Sequence, residues 1–166
     1  MFKKTLFACL LISSSLAVHA EDFAPFGIKI GETSSFYPKN LQPTVLEPVK
    51  VQPPAPVDDF FNEYNVYFNE DQLVRKVEAS GDLTSGKYSC VDIANSLNDT
   101  FIKTYKNAQP GVQNGAMYAY TVESGTDTYS AYISCDDTSI HYVMFNPGLE
   151  KIRDNIENPP KTDVKL

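Results

Sequence analysis

Hydrophobic positions recur at helical spacing in one stretch before the C-terminal tail and alternate through most of the rest. Between Ser89 and Tyr105, the residues Val91, Ala94, Leu97, Phe101 and Tyr105 stand three or four apart, which places them on one stripe of an amphipathic helix. Ser89 followed by Asp92 fits a capping pattern, so the helix has a readable start. Upstream, Tyr64, Val66 and Phe68 alternate in EYNVYF, and LVRKVEASG returns with Leu73, Val77 and Ala79 on one face. With Asn69 to Gln72 as the turn, this predicts a hairpin. Downstream, 116–122, 128–135 and 139–145 alternate in the same way, separated by the turns 123–127 and 136–138, as a three-stranded meander requires. Pro110, Gly111, Asn114 and Gly115 mark a loop between the helix and that meander. A short helix over 148–156 is expected after Pro147, with Pro159 and Pro160 ending it and the last residues fraying.

The first 58 residues follow another rule. Lys3 and Lys4 precede an apolar run from Leu6 to Leu16, and Val18-His19-Ala20 presents small residues at the positions a signal peptidase reads. The expectation is a signal peptide over 1–20 and export to the periplasm. The run is too short for a membrane span; an acylated Cys9 is the lesser alternative. FGIKIG (26–31) reads as a short strand. Prolines at 38, 43, 48, 53, 54 and 56 forbid a helix and favour extended chain, with 44–51 as a possible edge strand. The predicted organisation is therefore a proline-rich arm over 21–58, one α+β domain over 59–158, and a flexible tail over 159–166. Within the domain, an antiparallel sheet carries one main helix on one face.

Cysteine usage adds a crosslink. With Cys9 removed, Cys90 and Cys135 remain in a chain bound for an oxidising compartment, and a disulfide between them is the natural reading. It would close a loop of about 45 residues, and it would turn Tyr129, Ala131, Ile133 and Cys135 toward the helix. A reactive Cys90 thiol in the first helical turn is the alternative.

Charge narrows the partners. The 166 residues carry 14 basic and 21 acidic side chains, a net of −7, and losing Lys3 and Lys4 with the signal makes it −9. Nucleic acid and anionic membrane surfaces are poor partners for such a chain, whereas a basic protein would suit it. The same acidity also serves solubility.

Motifs for chemistry are sparse. His141 is the only histidine after the signal and has neither partners at metal-ligand spacing nor a nucleophile motif beside it. A Ser–His–Asp arrangement assembled by the fold stays open, because triad members need not be neighbours in sequence. The acidic pairs Asp58-Asp59, Glu70-Asp71 and Asp136-Asp137 read as turn residues, since a glycosidase needs its two carboxyls across a cleft. No cofactor or metal is implied. The remaining pattern is aromatic: Tyr118, Tyr120, Tyr132 and Tyr142 lie on the C-terminal strands among Ser130, Ser134 and Thr121, a composition common in recognition patches. Cross-strand packing on a solvated sheet, or core burial by the C-terminal segment, accounts for the same tyrosines and is the favoured reading.

PFGIKIG, then PPAPVDDFFNEYNVYF, LVRKVEASG and a helix opening on a cysteine resemble small secreted proteins of Gram-negative bacteria of unknown function, over about residues 25–105. The resemblance implies a secreted α+β module and assigns no site residue. Together these readings predict a non-catalytic periplasmic protein-binding module, an inhibitor or neutralising factor or an envelope-associated protein. The alternative is a small secreted hydrolase using His141.

Overall fold

The computed structural model describes residues 23–39, 47–53 and 59–149. Among these residues seven strands form one antiparallel sheet in the order β1-β2-β3-β7-β6-β5-β4. They are β1 (Val49–Lys50), β2 (Glu63–Phe68), β3 (Val74–Asp82), β4 (Gln109–Gln113), β5 (Met117–Ser124), β6 (Asp127–Cys135) and β7 (Ser139–Phe145), with helix α1 (Cys90–Thr104) between β3 and β4. The hairpin and the helix lie where the periodicity predicts them.

The expected separate three-stranded meander is corrected: its strands belong to the seven-stranded sheet, which continues past them on both sides. The stretch read as a loop around Pro110 and Gly111 is the short edge strand β4, paired with β5 across a bulge. At the other side β7 pairs with β3 from Lys76↔Phe145 to Asp82↔Ser139, which joins the hairpin and the C-terminal strands into one sheet. Alternation within a strand reports its two faces but not which strand lies beside it, so this long-range pairing was invisible in the pattern.

One face of the sheet is the core. Tyr64, Val66, Val77, Ala79, Tyr118, Tyr120, Val122, Tyr129, Ala131, Ile133, Ile140, Tyr142 and Met144 are all buried on it. The register aligns them in rows: Tyr118, Ile133, Tyr142, Ala79 and Tyr64 sit opposite one another across five strands. Along β3 the inward series begins at Val74 rather than Leu73, because a bulge at Tyr67/Phe68 shifts the register by one.

Helix α1 packs over β5, β6 and β7. Its buried stripe is Ile93, Ala94, Leu97 and Phe101, and Tyr105 is buried at its C-terminal cap. Val91, expected on that stripe, is 47% exposed. Ser89 takes the extended N-cap conformation, but its side chain makes no capping bond. The disulfide next to it accounts for the position of Val91. Cys90 and Cys135 are bonded with their Cα atoms 5.6 Å apart, so Cys90 takes the inward position in the first turn and Val91 turns outward.

The segment expected as a separate arm contributes to the same core. Phe23, Ile28 and Ile30 are buried with the sheet residues. Phe23 stacks between Tyr105 and Tyr129, with ring centroids 5.2 and 3.8 Å away, and Phe26 meets Phe61, Tyr64 and Tyr142 edge-on. FGIKIG is not a strand. Pro25–Gly27 is a 3-10 turn, with Phe26 at φ 56°, after which the chain runs to β3 through bonds between Gly31 N–H and Val74 O and between Val74 N–H and Glu32 O. Only Val49–Lys50 of the proposed edge strand pairs with β2, and 40–46 lie outside the described residues, as do the signal, most of the C-terminal helix and the tail.

Candidate functional site

The face of the sheet away from α1 is where the predicted tyrosine patch must be judged. Tyr118, Tyr120 and Tyr142 are not on it. They share the helix face, are buried, and have structural partners: Tyr118 donates to Asn95 Oδ1 and Tyr120 to Asn98 Oδ1 of α1, while Tyr142 packs against Phe26 and Phe101. The expected four-tyrosine surface is thus corrected to one tyrosine, because Tyr118 and Tyr120 pair with Ile133 and Ala131, on the opposite pleat from Tyr132. Tyr132 remains on the open face, 44% exposed.

What surrounds Tyr132 is set by register. Ala119 and Val143 flank it directly across β5 and β7, and its ring stacks on Phe145, diagonal to it, with centroids 5.9 Å apart and planes 14° from parallel. Exposed Met117 continues the diagonal on β5. Phe145, Tyr132 and Met117 therefore form an apolar diagonal across three strands. Beside it stands a polar cluster on β2 and β3. Tyr67 OH donates to Glu78 Oε2 at 2.7 Å, Lys76 Nζ lies 2.8 Å from Glu78 Oε1, and the same ammonium sits 3.9 Å over the Tyr67 ring. Partial burial and then the Glu78 carboxylate raise the Tyr67 hydroxyl pKa above its ordinary value, so the phenol stays neutral and keeps donating. Sequence reasoning missed Phe145 and the Tyr67–Lys76–Glu78 cluster; the Val143/Phe145 alternation was a usable signal.

His141 lies on the open face near its disulfide end. Its Nε2 is 3.2 Å from Ser139 Oγ, and that hydroxyl donates to Asp136 Oδ1, also at 3.2 Å. The chain of contacts runs carboxylate–serine–histidine. A hydrolytic triad needs the histidine between the other two, so that it can take the serine proton. Asp136 is committed to its turn: it accepts from Thr138 Oγ1 and from the backbone N–H groups of Thr138 and Ser139, which hold its carboxyl down at about 2.

The third feature is a groove of about 500 Å³ where α1 begins. Leu83, Gly86, Tyr88, Ser89, the Cys90–Cys135 bridge, Val91, Ala116, Asp136 and Asp137 line it. Behind its lining residue Tyr88, Asp59 accepts from Lys87 Nζ at 2.8 Å and from Tyr88 OH; the Lys87 bond, then the Tyr88 bond, lower its pKa.

Among the described residues no three of His, Cys, Asp and Glu are grouped to hold a metal ion, and no helix is long and apolar enough to cross a membrane. No protein-family model matches the chain, and no curated protein is significantly similar to it.

Proposed function

We propose that the chain is an exported, non-catalytic protein-binding module, acting as an inhibitor or neutralising factor or within envelope assembly, with the open face of the sheet as its contact surface. The observation that carries this reading is the apolar diagonal Phe145–Tyr132–Met117, backed by Val143 and Ala119, on a sheet whose central strands bury their other face in the core. Rigid aromatic side chains on a flat strand scaffold supply contact area at low entropic cost, and the Tyr67–Lys76–Glu78 cluster supplies polar contacts beside them. A hydrolase centred on His141 is less well supported, because Ser139 gives its proton to Asp136 rather than to the imidazole.

A photo-crosslinking amino acid placed at Tyr132, in cells that make the full chain, tests the reading. A discrete adduct with one protein is expected from that position and not from exposed Lys106 beyond the end of α1, and Phe145→Ala should abolish it while the chain stays folded by circular dichroism. Adducts of equal yield from both positions, or none from Tyr132, would reject the open face as the contact.

A further inference from the structure

We infer that the groove beside the disulfide receives a lysine or arginine side chain from an exposed loop of a protein partner. This rests on the protein-binding reading above and adds the chemistry that the partner must present. Three observations converge on it.

The groove is preformed. Its walls come from the chain entering α1, the first turn of α1, and the turn after β6, and the Cys90–Cys135 bond ties the last two together. A volume of about 500 Å³ is ample for one long side chain and part of its backbone.

Its lining is apolar along the walls. Val91 departs from the helix stripe to stand exposed in the groove, with Leu83, half-buried Tyr88 and the disulfide sulfurs around it. An exposed valine in a concave site is suited to the methylene stem of a partner's cationic side chain.

Its rim is anionic. Asp136 and Asp137 both line the groove. Asp136 is occupied by its turn, but Asp137 is exposed and forms no hydrogen bond or ion pair within the described residues. The nearby cation, Lys87, is already paired with Asp59. An aliphatic stem ending in a positive charge complements both halves of this lining, and lysine and arginine are the side chains built that way.

The test is a titration of the isotopically labelled chain, disulfide intact, with acetyl-Gly-Lys-Gly-amide followed by amide chemical shifts. Shifts are expected at Val91, Ala116 and Asp137, weakening as salt is added. Asp137→Asn should reduce the affinity about threefold or more while leaving the melting temperature unchanged. Equal binding of the norleucine counterpart would overturn the proposal, because an apolar contact would then suffice. So would spermidine binding as tightly as the peptide, which would make the groove a polyamine site, or shifts confined to the open sheet face. If the Tyr132 adduct forms but the peptide leaves the groove amides unmoved, the groove assignment fails while the protein-binding reading stands.

Discussion

Single positions carry more of this fold than their side chains advertise. Gly81 is one. A Cβ built there would lie 1.8 Å from the Phe60 carbonyl oxygen and 3.0 Å from Ile140 Cγ2, so the chain entering β2 crosses β3 where only a hydrogen fits. Gly81→Ala should cost about 1–3 kcal/mol of stability, read as a lower urea midpoint with an unchanged slope. Tyr132 and Tyr120 make the complementary point. Both alternate with smaller residues on neighbouring strands, and nothing local separates them. Their opposite fates follow from the pairing of Ala119 with Tyr132 and of Tyr120 with Ala131, which puts them on opposite pleats. That is why three of the four candidate tyrosines could be read from the sequence as surface residues and yet be buried.

At the scale of elements, α1 is held by its stripe and its bond to β6 together. The stripe is modest: Ala94 brings little area, and Val91 is outside it. The disulfide closes 45 residues of chain, for which loop entropy implies about 4 kcal/mol in the chain-entropy model. Cys90→Ser with Cys135→Ser should therefore lower the unfolding free energy by about 2–5 kcal/mol, checked by denaturant melts against the wild type with and without reductant. The groove is built from the same junction, so peptide-induced shifts should weaken in the double variant even under conditions where it stays folded. The helix span, the hairpin and the β5, β6 and β7 strands were all legible, because each obeys a local period. Strand β4 was not, since Pro110 and Gly111 mark turns in most contexts and become edge-strand residues only because β5 offers a partner.

Across the whole molecule, surface carboxylates shape the response to acid. Asp136, held by Thr138 and Ser139, titrates at about 2, and Asp59, Glu63 and Asp82 are lowered too, by Lys87, by Asn65 and Lys50, and by Thr84 respectively. Each has a folded pKa below its unfolded value of about 4, so its stabilisation is complete above that value and is lost as pH falls through the folded pKa. The melting temperature should hold down to about pH 4.5 and then fall toward pH 2, and Asp136→Asn should flatten that limb. Thermal melts across this window check it.

The same scale shows what had to wait for the folded chain. By itself the sequence determined the local periods, the helix and most strands, Cys90 and Cys135 as one oxidisable pair, and an excess of negative charge. These depend on neighbours within a few residues. Only tertiary structure decided that β7 pairs with β3, that Phe23 and Phe26 fill the core rather than lead an arm, and that Val91 faces a groove. It alone put Tyr132 on Phe145 and the open face. Those outcomes turn on which strand lies beside which, and on what an aromatic ring finds to pack against across tens of residues of chain. Such contacts are chosen by the burial of the assembled sheet, and no local pattern encodes them.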